Sequence, residues 1–210
     1  MRRRFVLGTG ATALALGVAA IPAGSMASAT PAPPIQFSGA ITCAAAGSLT
    51  FATALTNGGS TDTAVTLRAK LTGCSGVGTT SNGITLTGGS LLASSSTTLA
   101  NNCGAVLSGQ TLPQITGTIK WTTSAGKAAQ STAFVANAAV FYNASSNSVT
   151  VYLPSSISSG SYAGETMRYA GLASNLTGLK LSGSCAAGGL KSLKFGIPGG
   201  TTTGSVSVGA

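Results

Sequence analysis

Val65-Thr-Leu-Arg-Ala-Lys-Leu-Thr-Gly-Cys74 is the stretch whose reading decides the fold. Val65, Leu67, Ala69 and Leu71 fall on one face of an extended strand, and Thr66, Arg68, Lys70 and Thr72 fall on the other. A period of two with one apolar face marks a half-buried β-strand, and the closing Gly73-Cys74 pair suits an exported β-protein. If Cys74 bonds a core-facing cysteine it is out of phase with Leu71, so the strand is expected to bulge or turn at Gly73.

The same alternation recurs along the chain. Ile115-Thr-Gly-Thr-Ile-Lys-Trp121 puts Ile115, Ile119 and Trp121 on one side and Thr116, Thr118 and Lys120 on the other. Ile41 and Cys43 share a face, Leu49 and Phe51 are in phase, and Ile84 and Leu86 alternate with threonines up to Gly88-Gly89. Leu49–Leu55 and Val65–Leu71 flank the turn signal Asn57-Gly-Gly-Ser60 as a hairpin, and Ser131–Tyr142 and Ser148–Leu153 form another. Leu91 to Gly104 is a weak, serine- and asparagine-rich segment held by the bond at Cys103, Pro154 to Gly164 reads as a loop, and Leu193 to Ile197 as a late strand. No mature window carries apolar residues at helical spacing without interruption, so no helix is expected beyond the N-terminal segment. About ten short strands with glycine-rich turns point to an antiparallel β-sandwich of immunoglobulin or jelly-roll type.

Residues 1–29 read as a signal peptide. Arg2, Arg3 and Arg4 precede an apolar run from Phe5 to Ile21, and Ala27-Ser-Ala29 gives the small-x-small cleavage pattern. Glycines and threonines interrupt the run and no charged stop follows it, which favours cleavage over an anchor. Arg2-Arg3-Arg4-Phe5 also approaches the twin-arginine form, although the usual Ser or Thr before the pair is missing. A proline-rich extended leader, 30–38, would precede a single secreted β-domain, 39–210, with no transmembrane segment in the mature chain.

Charged residues are 6% of the chain, and the two acids are Asp62 and Glu165. Without Arg2, Arg3 and Arg4, the 11 basic residues fall to eight and the net charge to about +6. Such a balance can favour anionic partners, but the cations are scattered and never clustered in sequence, which better suits a solubilising role. Four cysteines in an exported chain read as two disulfides with three possible connectivities. The pairing expected here is Cys43–Cys74 with Cys103–Cys185.

The chain contains no histidine, which removes Ser-His-Asp and Cys-His nucleophile systems and most metal sites. Asp62 and Glu165 both sit in turn-like sequence, so a carboxylate dyad would be coincidental. Ser124-Ala-Gly-Lys127 has the letters of a Ser-x-x-Lys pair but lies in a turn. No enzyme activity and no cofactor are therefore expected. Binding is the stronger class. Trp121 shares an apolar face and reads as core; Tyr152, out of phase with Val151 and Leu153, and Tyr162, in a loop, are the stacking candidates. Arg68, Lys70, Lys120, Lys180 and Lys194 are the outward cations, serving either an anionic polymer or protection of strand edges.

The elements Gly39-x-Ile-x-Cys43, Leu71-Thr-Gly-Cys-Ser-Gly76, Gly117-x-Ile-x-Trp121, Gly160-Ser-Tyr-x-Gly164 and Cys185…Gly189-Leu-Lys-Ser-Leu193 resemble those of small secreted four-cysteine β-proteins of uncharacterised function from high-GC Gram-positive bacteria. The resemblance implies an exported, disulfide-bonded β-domain and carries no ligand or site. The expectation is a secreted, non-enzymatic module at the cell surface or outside the cell. Its partner would be an anionic cell-wall polymer, a carbohydrate or a protein, with no specific nucleic acid. The alternative is a structural, self-assembling surface protein.

Overall fold

The computed structural model describes residues 32–143, 148–172, 183–196 and 204–209. In chain order the strands are β1 (Ile41–Leu55), β2 (Asp62–Thr63), β3 (Val65–Ser75), β4 (Thr80–Ser81), β5 (Ile84–Ser95), β6 (Leu99–Ala100), β7 (Ser108–Thr123), β8 (Thr132–Asn143), β9 (Ser148–Ser159), β10 (Thr166–Leu172), β11 (Leu190–Phe195) and β12 (Gly204–Val208). A short 3-10 turn covers Val77–Thr79, a helix, α1, covers Cys103–Leu107, and a further helical turn covers residues 183–186.

The sheet closes on itself. Going round, β1 pairs with β3, β3 with β5, β5 with β7, β7 with β8, β8 with β9, β9 with β10, β10 with β12, and β12 returns to β1. The result is an eight-stranded antiparallel barrel, which corrects the expected sandwich. Closure depends on β1, whose 15 residues are enough to be shared. Its first part, Ile41–Ala45, pairs with Val208–Gly204, and its later part pairs with β11 on that same edge. The other edge of β1 is occupied by β3 along its length. Strand alternation reports which face of a strand is buried; it does not report that the first and last strands meet.

Alternation around the circuit sends one face of every strand inward. Leu49, Val65, Ile115, Ile119, Val140, Val149, Val151, Leu153, Met167 and Leu193 are all fully buried. Eight strands enclose a space just wide enough for side chains to fill, and these aliphatic residues fill it. The outer faces of the described strands carry Thr, Ser, Arg and Lys instead, as at Thr66, Arg68, Lys70, Ser90, Thr118 and Lys120. That is the reverse of a barrel whose outer face meets lipid.

Several strands run further than their local sequence announces. The two short strands expected around Cys43 and Phe51 are one strand, β1. β5 passes through Gly88-Gly89 to Ser95, and β9 passes through Pro154 to Ser159. α1 corrects the expectation of no helix: the Asn102 carboxamide oxygen accepts from the Ala105 N–H at 3.2 Å, capping a single turn before β7.

The two disulfides are Cys43–Cys74 and Cys103–Cys185, as expected. The first joins the start of β1 to the end of β3, at the base of the barrel. The second joins α1 to the segment before β11, beyond the opposite rim. At the base, Thr42 pairs with Ser75 but Ala44 pairs with Thr72, so Gly73 and Cys74 together oppose Cys43. Gly73 has φ +57°, the left-handed conformation that a bulge requires.

Candidate functional site

The ladder registers decide which outward cations meet. Lys70 lies opposite Ser90, and Ser90 lies opposite Lys120, so the two lysines flank one serine across three strands. One step along the strands, Arg68 lies opposite Leu92 and Leu92 opposite Thr118. One step further, Thr66 and Thr116 flank Ser94. Adjacent strands are about 4.8 Å apart, which sets the Cα atoms of Lys70 and Lys120 about 10 Å apart; Arg68 is about 7 Å along β3 from Lys70. Both lysines are exposed and line the same depression as Ser90.

These rows form a trough along β5. A depression of about 480 Å³ is lined by Ser90, Leu92, Arg68, Lys70, Thr118 and Lys120, with the small Ala46, Gly47 and Ser48 of β1 beside them. A second, of about 540 Å³, continues through Thr66, Ser94 and Thr116 and shares Arg68, Leu92 and Thr118 with the first. Leu92 stands in the middle, 46% exposed. It escaped the sequence reading, although its signal was present: in Leu91-Leu92 one of two adjacent strand residues must face outward.

Lys194 lies on β11 opposite Ser48, which in turn lies opposite Arg68, so it extends the same row beyond β1. Lys180 lies outside the described residues. Tyr152 is half-buried on β9, opposite Ala139 of β8 and Ala170 of β10, on a different side of the barrel from the trough. The structure thus brings Arg68, Lys70, Lys120 and Lys194 together and separates Tyr152 from them.

Tyr162 is corrected outright: it is 1% exposed and unavailable for stacking on a ligand. The loop between β9 and β10 turns inward at Gly160, and Tyr162 itself adopts φ +64°. Its N–H donates to the Phe37 carbonyl at 2.8 Å, its hydroxyl donates to the Gly78 carbonyl at 2.7 Å, and its ring meets Trp121 edge-on at 5.5 Å. Trp121 is core, as expected, and its Nε1–H donates to Thr132 Oγ1 at 2.8 Å. Thr132 then donates to the Ser161 carbonyl at 2.7 Å, and Ser161 Oγ donates to the Gln130 carbonyl at 2.9 Å. Phe37, from the leader segment, completes this plug at the base: it is buried and its N–H donates to Ser161 Oγ at 3.2 Å. The polar groups named here are paired, so the base is a structural closure.

Tyr169 differs. It is buried on β10 against Phe195, with ring centres 5.0 Å apart, and its hydroxyl has no hydrogen-bond partner among the described residues. Burial pushes the phenol of Tyr162 and that of Tyr169 well above the usual tyrosine range. Asp62 lies on β2 beyond the rim, where Oδ2 accepts from Thr98 at 3.0 Å, whereas Glu165 lies at the base between β9 and β10. The two carboxylates occupy opposite ends of the barrel.

Comparison with protein-family models, curated proteins and solved structures finds no match to this chain.

Proposed function

We propose that the protein is an exported, non-enzymatic β-barrel that binds an anionic cell-wall polymer through the outer face formed by β1, β3, β5 and β7. The observation that carries this reading is the register itself, which places Arg68, Lys70 and Lys120 on the margins of one trough. A merely solubilising charge set has no reason to converge on a groove floored by small residues and an exposed leucine. Charge on a concave surface raises the local concentration of an oppositely charged polymer. Two disulfides suit an oxidising compartment outside the cytosol, consistent with removal of residues 1–29 on export. Closure of the sheet takes away most of the strand edges that a self-assembling surface protein would use, which favours binding over assembly.

The test is retention on heparin across a salt series. The mature protein should bind at low salt and elute earlier when Arg68, Lys70 and Lys120 are all replaced by Gln. Replacing Lys127 and Arg168, which lie away from the trough, should change elution little. Equal loss in both variants would show a diffuse charge effect and remove the trough as a site.

A further inference from the structure

Resting on that reading of the trough, we infer that its ligand is a linear phosphodiester polymer of a hydroxylated, ring-free backbone, laid along β5. The trough is chemically asymmetric. At one end Lys70 and Lys120 flank Ser90, with Arg68 one step on, and this end suits an anionic group held by several donors. At the other end Thr66, Ser94 and Thr116 form a row of hydroxyls with no charge among them. Between the ends stands Leu92, exposed and apolar, flanked by Arg68 and Thr118. From Ser90 to Ser94 the floor spans about 14 Å. Cations that thin out along the floor, one apolar contact and a closing row of hydroxyls match a polymer whose charged links alternate with polyol carbons.

Three other occupants fit less well. A uronate-type glycan offers sugar faces that proteins commonly meet with aromatic side chains, yet no residue lining either depression is aromatic. Single-stranded nucleic acid would likewise seek aromatic stacking platforms. A bilayer is flat, whereas β1, β3, β5 and β7 are half of a closed eight-stranded circuit and curve away from any plane laid on β5.

Calorimetric titration of the disulfide-intact mature protein separates these cases, using synthetic poly(glycerol phosphate), hyaluronate, single-stranded oligothymidylate and phosphatidylglycerol vesicles as probes. Poly(glycerol phosphate) is expected to bind tightest. The Lys70→Gln/Lys120→Gln variant should lose about tenfold or more in affinity for it. Thr66→Val/Thr116→Val should weaken binding of poly(glycerol phosphate) while leaving binding of inorganic polyphosphate, which has no hydroxyls, unchanged. Circular dichroism of both variants checks that the barrel is intact. Equal or tighter binding of hyaluronate, of the oligonucleotide or of vesicles overturns the phosphodiester-polyol assignment and leaves the trough standing as an anion site. Failure of every polyanion to bind overturns both.

Discussion

Cys43 faces Gly73 across the β1–β3 ladder at the one place where two residues of β3 oppose one of β1. Gly73 takes up the extra length with φ +57°, and that kink turns Cys74 toward the buried Cys43. Bulge, disulfide and the start of barrel closure therefore occupy one corner.

Gly73→Ala isolates the backbone part of that corner. An added Cβ would meet nothing within 4 Å, so the penalty is conformational alone. A loss of about 1–2 kcal/mol is expected in urea unfolding with the disulfide intact. An unchanged midpoint would show that the bulge carries no strain for a residue with a side chain.

The two buried tyrosines should respond oppositely to loss of the hydroxyl. Tyr162→Phe removes the bond to the Gly78 carbonyl and leaves that acceptor unpaired, at an expected loss of about 1–3 kcal/mol. Tyr169→Phe removes a hydroxyl without a partner among the described residues and should be neutral or stabilising by up to about 1 kcal/mol. Equal destabilisation in the two variants would contradict the hydrogen-bond assignments.

Alkaline pH acts through the same pair. Each phenol is raised by burial in the folded state, so the unfolded chain releases its protons first, near the ordinary tyrosine value of 10.0. The stabilisation is complete below about pH 10 and is lost as pH rises above it, by roughly 1.4 kcal/mol per pH unit for each tyrosine. Unfolding free energy measured between pH 8 and 12 should bend downward near 10, and the double Tyr→Phe variant should flatten that bend.

The organising strand was readable from residues alone because its information is local. Val65, Leu67 and Leu71 point inward and Arg68 and Lys70 outward, and once Cys74 bonds Cys43 the bulge at Gly73 follows from the phase of Cys74. Trp121 was legible for the same reason. Barrel closure was not, because it rests on Ile41 meeting Val208, a pairing that no local period encodes. Tyr162 misleads since a tyrosine between Ser161 and Ala163 in a glycine-bounded loop looks solvent-facing, and only its positive φ and the Phe37 contact turn it inward. The trough lay between these extremes: its cations were evident, but their meeting depends on the Lys70–Ser90–Lys120 register.

The central claim is that the outer face of β3, β5 and β7 is the binding surface, and a backbone amide footprint tests it most directly. Two-dimensional ¹H–¹⁵N spectra of the labelled mature protein, titrated with poly(glycerol phosphate), should shift Arg68, Lys70, Ser90, Leu92, Thr118 and Lys120. Signals from the base plug at Ser161 and Tyr162, and from Tyr152 and Arg168, should stay in place. Shifts centred on Tyr152 and Arg168, or spread evenly over every lysine, would contradict the account.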